Sequence, residues 1–260
     1  MSTTAQSFPL INPKLKSQKD ILLKLSSTKG QIAVLIDPDK GNDRASLDPI
    51  VERCEAANVD FLFVGGSTVS RQDFSKAVSY LKKNTQIPIV IFPGASHQIS
   101  SEADALLYLS LISGRNPDYL IGHHVQSAKE VFSMDIEVIP TGYILIDGGT
   151  ASSVAYVSQT TPIPPEKESI AINTAIAGIL QGKELIYLDA GSGAKQCVPQ
   201  KLVKSIAELS KPVIVGGGIR SLEQIEHFAD AGANVIVIGN KIEEDIDFLL
   251  DIKSFIKHRV

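Results

Sequence analysis

Short apolar runs rich in β-branched residues recur along the whole chain, each bounded by Gly, Pro or Asp, and they restrict the fold more than any other feature. The first four are QIAVLID from Gln31, DFLFVGG from Asp60, IPIVIFP from Ile87 and DYLIGHH from Asp118. The other four are GYILIDGG from Gly142, ELIYLDAG from Glu184, KPVIVGGG from Lys211 and NVIVIGN from Asn234. They are continuous rather than alternating, as expected of strands buried on both faces of a parallel sheet. Helical stretches separate most of them: LDPIVERCEAANV from Leu47, RQDFSKAVSYLKK from Arg71 and LEQIEHFADAG from Leu222. Ser221 and Gln224, three residues apart, make a capping box ahead of the last. Eight strand–helix units in about 250 residues is the arithmetic of an α/β (β/α)8 barrel. An open doubly wound sheet carries its glycine fingerprint after the first strand, where this chain has DPDK.

The barrel is read as a single domain over residues 1–260. Residues 1–30 form an N-terminal extension whose helix-like ILLKLSS either closes the bottom of the barrel or packs outside it. The interval between the fifth and sixth strands holds the proline-rich SQTTPIPPEKE (Ser158–Glu168), which is either a lid or an insertion.

Function in such a barrel sits at the C-terminal strand ends. Those ends read Asp37-Pro-Asp39-Lys40, Gly65-Gly66-Ser67-Thr68, Phe92-Pro93-Gly94, Gly122-His123-His124, Asp147-Gly148-Gly149-Thr150, Asp189-Ala190-Gly191-Ser192-Gly193, Gly216-Gly217-Gly218 and Gly239-Asn240. Glycine weakens strands and helices, so its concentration here implies close approach of backbone to some other group. The formal net charge is −4, from 25 basic and 29 acidic residues with no basic block. That balance excludes a nucleic-acid binder and requires any phosphate site to be built locally from amides, single cations or a metal. The loops AGSGA, GGGIRS and IGN, from three adjacent strands, suit the three oxygens of one phosphate. Asp37, with Ser67 on the neighbouring strand end, offers two oxygen ligands for Mg²⁺, although Asp37 also has the alternative of capping its turn or pairing with Lys40.

Other motifs are weaker. His123 and His124 at a strand end would point in opposite directions and lack a third ligand; one of them is a candidate anion contact. His97, His227 and His258 read as surface residues. Cys54 and Cys197 have no metal spacing and fit a reducing compartment. No apolar run reaches membrane-span length, and the start, MSTTAQSFPLINPK, lacks signal-peptide character, so a cytoplasmic location is expected.

The ordered set LIDPDK, FVGGS, PIVIFPG, YLIGHHV, GYILIDGGT, YLDAGSGAK, VIVGGGIRS and VIGN resembles the geranylgeranylglyceryl phosphate synthase family, which includes the heptaprenylglyceryl phosphate synthases. GGGIRS alone is common to many phosphate-binding barrels. The combination of LIDPDK, FVGGS and YLxAGSGA is specific, and the similarity spans roughly Ile32 to Asn240. The resemblance implies a modified TIM barrel that transfers a prenyl group from a prenyl diphosphate, geranylgeranyl diphosphate foremost, to the 3-hydroxyl of sn-glycerol 1-phosphate. By matching positions, Asp37 and Ser67 are the implied Mg²⁺ ligands. Tyr187, Leu188, Asp189, Ala190, Gly191, Ser192 and Gly193, with Gly217, Gly218, Gly239 and Asn240, are the implied contacts to glycerol phosphate.

Lys40 is a candidate to neutralise the leaving diphosphate, and Phe92, Leu107, Tyr108, Tyr143 and Tyr156 are candidate walls of a prenyl groove. Where the family usually has Glu, this chain has Asp189, one methylene shorter, as a substrate contact that either binds a glycerol hydroxyl or accepts its proton. A homo-oligomer is expected from the family, and transient contact with a membrane surface from the lipid donor and product. The competing readings are an isomerase or lyase acting on a phosphorylated substrate and a non-catalytic ligand-binding barrel. The former calls for a strand-end lysine or paired carboxylates, and no strand proper ends in lysine.

Overall fold

A computed structural model describes residues 20–257 and contains a closed barrel of eight parallel strands in sequential order. The chain runs α1 (Asp20–Ser27), β1 (Gln31–Ile36), α2 (Arg44–Ala57), β2 (Phe61–Val64), α3 (Arg71–Asn84), β3 (Ile89–Ile91) and β4 (Ala105–Leu111). A π-helical turn (Asp118–Gly122) then leads into α4 (His123–Ser133), β5 (Glu137–Leu145), α5 (Ser153–Ser158), α6 (Glu168–Leu180) and β6 (Leu185–Asp189). The remainder is α7 (Gln200–Ala207), β7 (Val213–Gly216), α8 (Leu222–Asp230), β8 (Val235–Ile238), α9 (Asn240–Glu244) and α10 (Phe248–Lys257).

The continuous apolar runs follow from burial on both sides. Ala33, Phe61, Phe63, Val90, Leu107 and Ile214 fill the barrel interior. Their neighbours Ile32, Val34, Leu62, Val64, Ile186 and Leu188 pack outward beneath the helices. Seven of the eight expected strands lie where the runs place them. The fourth does not: Asp118–Gly122 is helical, and the strand is Ala105–Leu111. Pro117 supplies a φ of −62°, and Asn116 Oδ1 accepts from Asp118 N at 3.0 Å, so the segment starts a helix rather than a strand. Between β3 and β4 the barrel has no helix; residues 92–104 form an irregular crossing.

The N-terminal ends of the strands are fastened by three side chains placed just before a strand or at its approach. Asp60 N donates to Ile32 O while Ile32 N donates back to Asp60 Oδ2 at 2.8 Å. Asp104 makes the same reciprocal pair with Ile89, and Asn234 with Val213. Each clip satisfies an amide at the start of a strand, the first residue of β3 and β7 and the second of β1. Helix α1 closes this same end: Leu25 is fully buried in the interior cluster, and Ile21 N and Leu22 N donate to the two oxygens of Glu137 at 2.8 and 2.9 Å. Of the two placements open to ILLKLSS, the bottom plug is the one adopted. Residues 1–19 of the N-terminal extension, and His258, lie outside the described residues.

Candidate functional site

The opposite end of the barrel opens into a cavity of about 330 Å³. Its walls come from the strand ends singled out by their glycines and carboxylates, and they gather Asp37, Lys40, Gly66, Ser67, Asp189, Ser192, Gly193, Gly217, Gly218, Gly239 and Asn240 around one space.

Asp37 ends β1 and is half-buried. One carboxylate oxygen accepts from Asp39 N at 3.1 Å, and the carboxylate lies against Gly66, where an added Cβ would sit 2.5 Å from Asp37 Oδ1. Burial raises its pKa above the ordinary carboxylate value. Ser67 follows Gly66 on the neighbouring loop, after β2. A carboxylate and a hydroxyl are hard oxygen donors, and a cavity that leaves room for substrate oxygens suits Mg²⁺. Among the described residues no group of three or more His, Cys, Asp or Glu side chains forms a cage for a metal. Lys40 pairs with Glu243 Oε2 at 2.5 Å, and both line the cavity.

Asp189 sits at the end of β6, buried, with both oxygens engaged. Tyr143 donates a short hydrogen bond to Oδ2, and Gly191 N donates to Oδ1 at 2.8 Å. Burial raises its pKa, against the opposing pull of those two donors. Gly217 exists for this packing: its φ is +85°, and a Cβ would lie 2.7 Å from Asp189 Oδ1 and 2.8 Å from the amides of Ala190 and Gly191. The loops after β6 and β8 are joined by Asn240, whose Oδ1 accepts from Ser192 Oγ at 3.1 Å and Gly193 N at 3.0 Å. The Gly217 and Gly218 amides make no backbone hydrogen bond among the described residues, and both glycines line the cavity.

Tyr187 lies in the cavity floor, stacked on Phe92 with centroids 5.0 Å apart, and Tyr143 completes an aromatic trio. From there the cavity extends past the ends of β3 and β4 to the buried Ile99 and Leu106 and the half-buried Tyr108, in the gap that no helix covers. His124 stacks on Tyr108 at 4.1 Å and bonds Leu109 O through Nε2 at 2.7 Å; burial lowers its pKa. His123 meets Tyr119 edge to face, and neither of its buried ring nitrogens has a hydrogen-bond partner among the described residues. The two histidines open α4 rather than ending a strand, and both line the cavity.

Some anticipated residues fall elsewhere. Leu188 and Ala190 pack their side chains in the outer layer, and Gly191 turns beneath Ser152, so these three have no place in the cavity wall. Leu107 belongs to the barrel interior, and Tyr156, 86% exposed, points away, so neither is a groove wall. In the Ser158–Glu168 segment, Ile163 pairs in parallel with Ile146, with bonds of 2.9 Å on each side, and the segment is not part of the cavity wall. Burial pushes the Cys54 thiol up to about 12 and Cys197 up to about 11, so neither is a nucleophile. Arg220 and Glu243 line the cavity without having been singled out. Arg220 was legible as the charged residue of GGGIRS, whereas Glu243 lies on the short helix α9 with no pattern to single it out.

Comparison with known proteins agrees with this geometry. The model of the PcrB family matches residues 26–257. The chain is 48% identical over 218 residues, 84% of its length and 86% of the relative's, to the geranylgeranylglyceryl phosphate synthase of Chitinophaga pinensis. It is 39% identical over 212 residues, 81% and 83% of the two chains, to that of Pyrococcus furiosus. Among solved structures, the (S)-3-O-geranylgeranylglyceryl phosphate synthase of Thermoplasma acidophilum, in complex with its substrate sn-glycerol-1-phosphate, superposes with a TM-score of 0.83. It shares 34% identity, covering 90% of this chain and 94% of that one. A tryptophan synthase α-subunit at 14% identity and TM-score 0.53 shares the fold alone. The chain therefore belongs to the PcrB family, alongside the geranylgeranylglyceryl phosphate synthases.

Proposed function

We propose that this chain is a Mg²⁺-dependent prenyltransferase that joins a prenyl diphosphate, geranylgeranyl diphosphate foremost, to the 3-hydroxyl of sn-glycerol 1-phosphate. The observation that carries the reading is the meeting, in one cavity, of the β6–β8 glycine loops, the tethered carboxylate of Asp189 and the Asp37–Ser67 pair.

Glycerol phosphate docks with its phosphate against the amides of Gly217 and Gly218 and the loop ends at Gly193, Gly239 and Asn240, where several donors converge without side-chain obstruction. Asp189 lies beneath this cradle, held by Tyr143 and Gly191, and accepts the proton of the 3-hydroxyl. Its raised pKa makes it a stronger base than an exposed carboxylate. The 3-oxygen attacks the allylic carbon, the ether bond forms, and the carbon–oxygen bond to diphosphate breaks with the electron pair leaving on diphosphate. Asp37 and Ser67 would hold Mg²⁺, which when bound neutralises charge building on that leaving group. Lys40 adds a second positive charge at the same rim.

The prenyl chain runs over the aromatic floor of Phe92, Tyr143 and Tyr187 toward Ile99, Leu106 and Tyr108. At about 0.8 kcal/mol per buried methylene, a twenty-carbon chain gains on the order of ten kcal/mol gross there. Exposed Ile121 in the π-helical turn and Val125 on α4, beside the cavity-lining histidines, support transient contact with a membrane surface, and exposed Ile170, Ile176 and Leu180 on α6 support a homo-oligomeric contact. No described helix is long and apolar enough to cross a membrane.

The test is turnover read by mass spectrometry, with Mg²⁺, prenyl diphosphates of fifteen to thirty-five carbons, and either enantiomer of glycerol phosphate. An ether formed only from the 1-phosphate, and lost on chelation, is the expected result. No ether from any donor would refute the reading and favour an isomerase or lyase of a phosphorylated substrate.

A further inference from the structure

Glu243 is a carboxylate placed in a cavity that, on the reading above, receives two polyanions. A negative charge in such a place disfavours the ligands unless it performs a structural task there. Its partners define the task. Oε2 accepts from Lys40 Nζ at 2.5 Å and from Asn240 Nδ2 at 3.4 Å. The other end of the same amide, Asn240 Oδ1, accepts from Ser192 Oγ and Gly193 N. A side-chain amide has one donor end and one acceptor end, and rotating it by half a turn would set Nδ2 against the Gly193 N–H and Oδ1 against the Glu243 carboxylate. Two sides of the site thus fix a single orientation, and Glu243 is the side that demands a donor. Lys40, from the loop after β1, neutralises the carboxylate while it does so.

We propose that Glu243 is a positioning residue for the glycerol phosphate subsite. It locks the Asn240 amide so that Oδ1 ties the β6 loop to the β8 loop and holds the anion cradle in its binding shape. The inference rests on the proposed function for the identity of the ligand, and not for the existence of the cradle. Without Glu243 the amide is oriented from the Gly193 side alone, the Ser192 and Gly193 contacts are held less firmly, and more of the ordering of the cradle falls to the incoming anion.

Calorimetric titration of sn-glycerol 1-phosphate in the absence of any prenyl donor tests this, with inorganic phosphate as a second probe. Glu243→Ala is expected to weaken binding about three- to tenfold, the range for losing one oriented hydrogen bond. Glu243→Gln, which keeps an oxygen for Nδ2 but removes the charge, is expected to stay within about twofold of wild type by the same measure. Glu243→Ser, too short to reach Nδ2, stands in for the alanine variant if that variant fails to fold. Equal affinities for the alanine and glutamine variants, whether both unchanged or both weakened, would overturn the proposal, because charge or nothing would then be the determinant. Binding of neither probe to the wild type would remove the cradle itself. Binding of either probe without turnover would sink the prenyltransferase reading alone.

Discussion

The paired substitutions Gly217→Ala and Gly193→Ala separate backbone conformation from steric contact within the cradle. Both glycines have positive φ, +85° and +73°, in a region where an L-residue costs about 1–2 kcal/mol. They differ in surroundings. A Cβ at Gly193 meets nothing within 4 Å, whereas at Gly217 it lies 2.7 Å from Asp189 Oδ1 and 2.8 Å from the amides of Ala190 and Gly191. Two of those neighbours are backbone atoms that cannot rotate away, so Gly217→Ala adds an overpacking cost of about 1–3 kcal/mol to the conformational one. Gly193→Ala should therefore lose about 1–2 kcal/mol and Gly217→Ala about 2–5 kcal/mol. Urea denaturation with matched slopes gives both values. The functional consequence diverges as well: the alanine at 217 displaces Asp189 and the Ala190–Gly191 turn, so turnover should fall by a larger factor than stability alone explains. A Gly217→Ala protein as stable and as active as Gly193→Ala would refute the claim that close packing against Asp189 selects glycine there.

Two further outcomes follow from the carboxylates. Asp189 has a raised folded-state pKa, so the stability it contributes is full below its ordinary value of about 3.9 and is lost as pH climbs through the raised value. Relative to wild type, Asp189→Asn should thus gain stability as pH rises from about 4 to 8 while losing turnover throughout; a stability difference that is flat with pH, in a denaturation series, contradicts the burial argument. Asp37→Asn should lower turnover in Mg²⁺ by at least about a hundredfold while leaving glycerol phosphate affinity, measured by calorimetry, within about twofold. Normal turnover of that variant in Mg²⁺ would remove the metal assignment.

How far the fold was legible depended on what bounds each run. QIAVLID, DFLFVGG and NVIVIGN are apolar, β-branched and punctuated, and they became β1, β2 and β8. ALLYLSL has neither β-branched residues nor a Gly or Pro boundary, and its Leu and Ala favour helix as well as strand. Its strand character comes from pairing, Ala105–Leu111 against Glu137–Tyr143, which no local pattern reports. DYLIGHH has the composition of a strand, but Pro117 and the Asn116 cap start a helix at its first residue. The glycine turns around the cavity were legible because glycine is chemically distinctive where backbone crowds backbone. The missing helix after β3 was not, since a polar stretch such as ASHQISSEAD reads the same whether it spans a gap or links two helices. Glu243 escaped for a different reason: a carboxylate on a short surface helix has no local mark of aiming inward.

The two ends of the barrel satisfy their backbone groups in opposite ways, and this explains where binding must occur. At the N-terminal end, Asp60, Asp104 and Asn234 each take up a strand amide, and α1 packs Leu25 into the barrel interior. At the C-terminal end the glycine turns leave the Gly217 and Gly218 amides without a backbone acceptor among the described residues, and both line the cavity. Side-chain charge does not supply the attraction for anions. The cavity is lined by three carboxylates, Asp37, Asp189 and Glu243, against two permanent cations, Lys40 and Arg220, and His124 is held toward its neutral form. One of the two cations is already paired with Glu243. A chain of net charge −4 offers no long-range field to compensate. On the proposed function, a phosphate and a diphosphate bound together in this place call for oriented amides for the one and a divalent cation for the other, the division that we propose for the glycine loops and the Asp37–Ser67 pair.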